Sequence, residues 1–179
     1  MPADLGAHDF STASVSATVE TLLAIASKRD VRYYAATPVP PDVRGWILDA
    51  GRLSGSSQNK QKWQFVVVSG AAQERLADAV YAPENVRTAT LVVAIVGEAG
   101  GFDVGRCSQN MMLAAWAESV GSCPNGVRDS EAAAAICGGE VKAVISFGYP
   151  AKPRASRTAE EWSARANRKP LDELVREVS

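Results

Sequence analysis

The sequence has few of the residues on which metal and acid–base catalysis depend. Its 179 residues contain a single histidine, His8, in a polar N-terminal segment. A lone histidine argues against a histidine metal site and against Ser-His or Cys-His nucleophilic machinery. The three cysteines form no Cys-x-x-Cys pair. This pattern favours reduced thiols in a cytoplasm over a disulfide framework.

An excess of charge of one sign and long apolar runs are also lacking. The chain has 19 Lys and Arg against 20 Asp and Glu, a formal net charge of −1, so composition gives no sign of a nucleic-acid partner. No stretch reaches the roughly 18 apolar residues of a membrane span. Residues 1–14 lack the basic and apolar regions of a secretion signal. We therefore expect a cytoplasmic protein without a membrane partner.

Length and periodicity predict one α+β domain. We expect residues 1–15 to be a flexible segment and residues 16–179 to form a single domain. Helices that outnumber short strands and alternate with them irregularly favour an antiparallel or mixed sheet with helices packed on it. Apolar runs predict strands at 65–68, 90–96 and 141–147, and helical spacing predicts helices at 19–27, 43–53, 71–81, 104–120 and 171–178. A further Ala-rich helix is expected after Asp129 and ends at Gly138-Gly139.

Local signals refine these elements. Ser14 or Ser16, then Asp42, Asp103 and Asp129, are candidate N-caps, and Pro170 suits the first position of the last helix. The apolar density around Met111, Met112 and Trp116 predicts a central buried helix. The segment 121–126, rich in Gly and Pro, predicts a turn, and residues 151–167 read as a polar tail.

Two polar clusters are candidate binding sites. Residues 28–34 place three cations within five residues, next to an acid and two tyrosines, which is typical either of a solvated face or of a phosphate site. A polar loop then precedes the strand at 65–68, and its side chains can hydrogen-bond the edge of a heteroaromatic ligand or simply form a turn. Those side chains are Ser56, Ser57, Gln58, Asn59 and Gln61.

The order of these pieces resembles the nitroreductase family of FMN-dependent NAD(P)H oxidoreductases, as a short member. The match begins with Lys28-Arg-Asp-Val-Arg-Tyr-Tyr and continues with Ser-Ser-x-Asn-x-Gln-x-Trp from Ser56. The long helix from Asp103, the segment Gly121-Ser-Cys-Pro-Asn-Gly and the C-terminal Arg168-Lys-Pro-Leu follow in register. The resemblance implies a mostly antiparallel sheet flanked by helices, an intertwined homodimer, and ping-pong electron transfer from NAD(P)H to a small acceptor such as a nitroaromatic or quinone.

The resemblance also implies an FMN-binding set. Lys28 and Arg32 match the basic positions that hold the phosphate and ribityl chain, and Asp30 orients these two cations or accepts from a ribityl hydroxyl. Arg29, between them in the sequence, is included in the set. The loop positions match groups that reach the flavin, in the homodimer across the subunit boundary: Ser56, Ser57, Asn59 and Gln61. A segment beside the isoalloxazine comprises Pro124, Asn125 and Gly126. Arg168 matches a C-terminal cation that closes over the phosphate, with Lys169 or Arg165 as alternatives.

Hydride chemistry belongs to the flavin, so this class needs no protein nucleophile, and Cys123 is expected to be inert.

The chain departs from the family pattern at Gly55 and Lys62, where proline is usual, and in its short connection over residues 97–102. That brevity predicts an open flavin face. A flavin carrier or sensor without reductase activity, and a flavin-fragmenting or dehalogenating relative, remain alternative functions.

Overall fold

The computed structural model describes residues 15–152 and 156–178, which fall into two compact units. The larger unit contains the described residues from 28 to 152, and the smaller one contains 15–27 and 156–178. The expected flexible segment lies almost entirely outside the described residues. The single domain expected over 16–179 stays a prediction.

A four-stranded antiparallel sheet forms the centre of the larger unit. Its strands are β1 (Trp63–Val68), β2 (Leu91–Gly97), β3 (Gly121–Asn125) and β4 (Val141–Gly148). They are arranged in the order β1-β2-β4-β3, and every neighbouring pair is antiparallel. With the helices on both faces, this sheet confirms the α+β class expected from the sequence.

The described part of the chain contains seven α-helices, of which the first and the last belong to the smaller unit. They are α1 (Val15–Ser27), α2 (Pro41–Arg52), α3 (Gly70–Asp78), α4 (Pro83–Arg87), α5 (Gly101–Ala117), α6 (Ser130–Cys137) and α7 (Ala159–Arg165). Short 3-10 turns occupy Ser57–Asn59 and Leu171–Glu173. No helix among the described residues is both long and apolar enough to cross a membrane.

Alternation along the strands gives the larger unit two apolar layers. Ile95 and Phe147 pack on one face with Met111 of α5, while Val92 and Val144 pack on the other with Leu76 of α3, all fully buried. Each such side chain contributes roughly 1.5–3 kcal/mol on burial. Both faces of β2 are therefore covered, which explains its continuous apolar sequence. The expected burial of Met111, Met112 and Trp116 is also confirmed.

The helix starts differ from several predicted caps. Ser16 lies inside α1 rather than at its cap, while Ser14 is outside the described residues. Asp42 lies in the first turn of α2, because Pro41 takes the first helical position. Asp103 likewise lies inside α5, which starts two residues earlier at Gly101. Asp129 is confirmed as the cap of α6, since its carboxylate accepts from the Ala132 amide at 2.9 Å.

The predicted turn at 121–126 is wrong, because residues 121–125 are edge strand β3. Its Pro124 lacks an amide hydrogen, but an edge strand tolerates that loss. Pairing with β4 from Gly121 to Asn125 supplies the hydrogen bonds that local sequence could not reveal. The short helix α4, which starts at Pro83, had no predicted counterpart.

In the smaller unit, the predicted polar tail contains helix α7. Thr158 and Glu161 form a capping box at its start, in which each side chain accepts from the other residue's amide. The predicted helix at 171–178 is wrong, because only a 3-10 turn forms at Leu171–Glu173 and Pro170 precedes it as the cap. The Val175 amide still donates to the Leu171 carbonyl at 3.0 Å, but no helical hydrogen bond follows it in the described residues, so the turn does not propagate.

Candidate functional site

The basic segment, residues 28–34, runs along the edge strand β3. Asp30 forms a parallel bridge with Ser122, and the Val31 amide donates to the Ser122 carbonyl at 2.9 Å. Gly121 permits this approach, because a Cβ there would lie 2.6 Å from Val31 Cβ. The structure thereby brings the predicted cationic positions next to the predicted flavin-side segment.

The cations of the basic segment differ in their surroundings. Lys28 Nζ forms a 2.7 Å ion pair with Asp30, and its side chain is only 11% exposed. Arg29 donates through Nη1 to the Lys28 carbonyl at 2.8 Å. Arg32 is exposed, and its positive charge opposes the rise in the pKa of the nearby Cys123 thiol. Asp30 therefore holds Lys28 in place, and Arg32 presents a cation at the surface.

A cavity of ≈ 740 Å³ opens beside the basic segment. Its walls are formed by Asp30, Val31, Arg32, Tyr33, Pro150, Ala151 and Lys152. Two of these residues, Arg32 and Lys152, are cations that suit an anionic group, since Arg and Lys donate charge-assisted hydrogen bonds to phosphate, while the Asp30 carboxylate is already paired with Lys28. The cavity therefore combines the size of a small-molecule site with phosphate-binding chemistry.

A buried polar network ties the basic segment to β3 and β4. The Tyr34 hydroxyl lies 2.9 Å from Ser146 Oγ, and Asn125 Nδ2 donates to the same oxygen at 3.1 Å. Asn125 also donates to the Cys123 carbonyl at 2.9 Å and accepts from Asn85 Nδ2 at 3.1 Å. Burial raises the pKa of Tyr34 well above its usual value, so the phenol stays protonated. The network thus fixes the edge strand relative to the cations.

The three predicted flavin-side residues differ in their exposure to solvent. Pro124 and Gly126 are exposed, whereas the Asn125 side chain is buried in the polar network and makes its hydrogen bonds there. A ligand can therefore approach Pro124 and Gly126 directly, while the side chain of Asn125 is engaged in holding the strand. Arg168 is exposed in the smaller unit, as are its alternatives Lys169 and Arg165.

The polar loop before β1 has an unusual backbone. Gln58, Asn59 and Gln61 have φ values of 53°, 53° and 47°. Residues other than glycine rarely adopt this left-handed backbone conformation, and such conformations concentrate at functional sites. The loop is held by local hydrogen bonds: the Gln61 amide donates to Ser56 Oγ at 2.9 Å, and the Gln61 side chain donates to Asn59 Oδ1 at 3.1 Å. The predicted loop residues therefore form one cluster.

Helix α5 supports this loop. Asp103 Oδ2 accepts from the Ser57 amide at 3.0 Å, and Asn110 Nδ2 donates to Ser54 Oγ at 2.8 Å. The predicted cap Asp103 is thus a loop anchor instead. A cavity of ≈ 240 Å³ lies between the loop and the start of α5, lined by Ser57, Lys60, Gln61, Lys62, Glu98, Ala99, Gly100 and Asp103.

The basic segment and the loop lie at diagonally opposite corners of the sheet. The loop enters β1 at one edge, and the basic segment flanks β3 at the other, three strand intervals or about 14 Å away. The two clusters are also far apart along the strand direction. Trp63, where the loop enters β1, is level with Glu140, just before the start of β4, through its pairing with Gly97. Ser122, beside the basic segment, is paired with Phe147, about 20 Å from Glu140 along β4. Within one chain, the two clusters therefore line different cavities.

The thiol of Cys123 is not activated in this arrangement. It is buried, and burial, with a smaller contribution from the Asp30 carboxylate, raises the pKa of the thiol. Arg32 opposes the shift without reversing it. A protonated, enclosed thiol is a poor nucleophile.

The sequence did not predict most of the side chains in the buried polar network that holds the site in place. Tyr34 carried a signal, because it stands next to the basic cluster in the sequence. Asn85 and Ser146 carried none, since their partners lie 40 and 112 residues away. Arg106 of α5, which lies against Gly55 in the polar loop, was likewise not predicted.

Comparison with known proteins agrees with this architecture. Residues 25–100 match the model of the Nitroreductase family. No curated protein sequence matches the chain. The family resemblance expected from the sequence is confirmed, and the matched region includes both the basic segment and the polar loop.

Solved structures share the fold at low sequence identity. Nitroreductase A from Vibrio parahaemolyticus is 19% identical with a TM-score of 0.78, and the match covers 89% of this chain and 76% of that one. An NADPH:FMN oxidoreductase from Vibrio harveyi, complexed with NAD+, is 20% identical with a TM-score of 0.77, over 89% and 77%. A nitroreductase-like protein from Desulfovibrio desulfuricans, complexed with FMN, is 26% identical with a TM-score of 0.73, over 88% and 96%.

Proposed function

We propose that this chain, which resembles the nitroreductase family, is an FMN-dependent oxidoreductase that carries electrons from NAD(P)H to an organic acceptor such as a nitroaromatic or quinone. The observation that carries the proposal is the cationic cavity beside β3, on the same chain as the strained polar loop. The FMN and NAD+ named for the structural neighbours support the choice of cofactor and electron donor.

The residues beside β3 fit a flavin nucleotide. Lys28 and Arg32 would hold the phosphate, with Asp30 orienting Lys28, and Arg29 would add charge near it. Arg168 of the smaller unit belongs to the proposed set on the family resemblance alone. Pro124 and Gly126 would lie beside the ring. Ser122 Oγ is fully buried and lacks a hydrogen-bond partner in the described part of the chain, which is typical of a polar group beside a binding site.

The bound flavin supplies the redox chemistry. In the overall reaction with a quinone, a hydride leaves the nicotinamide and a proton comes from solvent, so that the acceptor gains two electrons and two protons. The side chains and backbone of the protein bind the flavin and the substrates and orient them. This division of work agrees with the enclosed, protonated Cys123 and with a site built from amides, hydroxyls and cations.

A homodimer completes the proposed site. Because the basic segment and the loop of one chain lie at diagonal corners of the sheet, Ser56, Ser57, Asn59 and Gln61 would contact a flavin held by the partner's basic segment. A two-fold axis then generates two equivalent sites. A cytoplasmic location belongs to the same proposal and is supported by the three free cysteines.

An absorbance spectrum followed by anaerobic titration with NADPH and then NADH tests the proposal. We expect flavin bands that bleach with at least one nucleotide. Arg32→Ala should weaken FMN retention by about 1.5–3 kcal/mol, the contribution of a charge-assisted hydrogen bond. Arg75→Ala, which removes an exposed arginine of α3, is the control and should retain FMN normally. Protein that stays colourless after reconstitution with FMN would refute the assignment.

A flavin carrier or sensor is the second candidate, favoured by one observation. Only residues 98–100 connect β2 to α5, and Phe102 just beyond them is 79% exposed. This short connection therefore builds no cover over that region. In the same titration, a carrier would keep its yellow colour with both nucleotides under anaerobic conditions.

A further inference from the structure

Arg106 is an exposed cation beside the polar loop. Its guanidinium carbon lies 5.7 Å from the centroid of the Phe102 ring, one helical turn earlier on α5. A Cβ on Gly55 would lie only 2.5 Å from Arg106 Nη2. The arginine therefore occupies the space that a side chain at position 55 would need. Arg106 has no ion pair with any residue of the described part of the chain.

The nearby carboxylates already have partners. Glu98 forms a 2.7 Å ion pair with Lys62, which holds the pKa of the Glu98 carboxyl below its usual range. Asp103 accepts from the Ser57 amide. Lys60, exposed on the wall of the same small cavity, balances Asp103 in charge. Three cations, Lys60, Lys62 and Arg106, therefore face two carboxylates, which leaves a local net charge of +1. Arg106 is the cation that lies beside the Phe102 ring.

Phe102 adds a flat apolar surface next to that charge. Its ring is 79% exposed, although large apolar side chains are usually buried. The connection over residues 98–100 is too short to cover it. An exposed ring against a planar guanidinium suits a ligand that is itself flat and carries an anion at one edge.

We propose that Phe102 and Arg106 bind the electron acceptor, and that this acceptor is an aromatic compound with a carboxylate substituent. The inference rests on the proposed function, because it places the pair beside the loop that would contact the flavin. Phe102 stacks on the acceptor ring, and Arg106 forms the charge-assisted hydrogen bond to its carboxylate.

Two nitroaromatic acceptors that differ by one carboxylate test the pair. With NADPH, 4-nitrobenzoate and nitrobenzene are each reduced by two electrons to the nitroso compound and water, with one proton taken from solvent. We expect the wild-type protein to favour 4-nitrobenzoate in kcat/KM by about 10-fold, the size of one charge-assisted contact partly exposed to water. Arg106→Gln should bring the ratio close to one, whereas the control Arg75→Gln, with the same change in net charge, should preserve it.

A binding measurement separates recognition from turnover. Benzoate cannot accept electrons here, and its dissociation constant with the oxidised, FMN-loaded protein can be measured by calorimetry. Arg106→Gln should raise that constant by about 10-fold, and Gly55→Ala, which displaces the guanidinium, should raise it in the same direction. The Arg75→Gln control should bind benzoate as the wild type does.

Three results would overturn the inference. The first is an equal preference for the two acceptors in the wild type, and the second is an Arg106→Gln variant that keeps the wild-type ratio and benzoate affinity. In the third, Arg106→Gln changes the preference for NADPH over NADH instead, which would assign the arginine to the nucleotide phosphate. Failure of the proposed function is recognised earlier, because the flavin would not bleach before any acceptor is added, and it removes the acceptor assignment as well.

Discussion

At the scale of single residues, Asn125 is the centre of the hydrogen bonding that holds β3. Its side chain donates to Cys123 and Ser146 and accepts from Asn85. Asn125→Ala leaves buried partners without hydrogen bonds, so we expect the free energy of unfolding to fall by about 1–3 kcal/mol. Urea denaturation of the protein without added flavin measures this loss.

The control for Asn125 is Gln109→Ala, which truncates an exposed amide on α5. Exposed substitutions of this kind usually change stability by no more than about 0.5 kcal/mol. Equal stabilities for the two variants would show that the network around Asn125 does not stabilise the fold.

Cys107 makes stability depend on alkaline pH. Burial in the core raises the pKa of Cys107 from 9.0 to about 11, so the folded state keeps a proton that the unfolded chain loses. This contribution is fully present below pH 9 and is lost as the pH rises through 11. We expect the stability advantage of the wild type over Cys107→Ala, from urea midpoints, to shrink between pH 8 and pH 11.

A buried alanine on the same helix provides the comparison for Cys107. Ala115→Gly removes core volume without a titrating group, so its difference from the wild type should stay constant over that pH range. A Cys107→Ala difference that is equally constant would contradict the raised pKa in the folded state.

The role of a residue could be predicted from the sequence where its contacts are with residues close in sequence. It could not be predicted where those contacts are with residues distant in sequence. The Ser-Ser-x-Asn-x-Gln pattern indicated the polar loop, because these residues contact one another within six positions. The pairing of Tyr34 with Ser146 spans 112 residues and left no local trace. Gly55 stood out only as a departure from the family pattern, and the structure supplies its reason in Arg106.

At the scale of elements, α6 shows how far local signals determine a helix. Its cap Asp129 and its end at Gly138, with a φ of 75°, both follow from sequence. We expect Asp129→Ala to lower the free energy of unfolding by about 1 kcal/mol, because the Ala132 amide loses its acceptor. Ser130→Ala, at the next position, is the matched control in urea denaturation. Equal losses in both variants would argue against the cap.

The edge strand β3 shows the opposite case. Gly121, Pro124 and Gly126 have turn propensity, and only pairing with β4 makes residues 121–125 a strand. The same pairing aligns the basic segment along Ser122. The fold class could thus be predicted from periodicity, whereas the strand that carries the candidate site could not, since its stability comes from partners distant in sequence.

At the scale of the whole molecule, the diagonal separation of the two clusters predicts sites shared between subunits. Arg32→Ala removes a cation from one cluster, and Asn59→Ala removes an amide from the other, so each variant alone should bind FMN weakly. In a mixed dimer, both losses fall on the same site, and the second site keeps an intact basic segment and an intact loop. Mixing the two variants under subunit exchange should therefore restore tight binding to about half of the sites in each mixed dimer.

Flavin fluorescence on titration with FMN measures the restored fraction, and each variant mixed with itself is the control. If each chain instead built its site alone, every site in the mixture would still carry one of the two losses. The mixture would then bind FMN as weakly as its components, and the two-chain site would be excluded even where the protein is yellow. Restored binding would show that the basic segment beside β3 and the loop before β1 meet only in the assembled dimer.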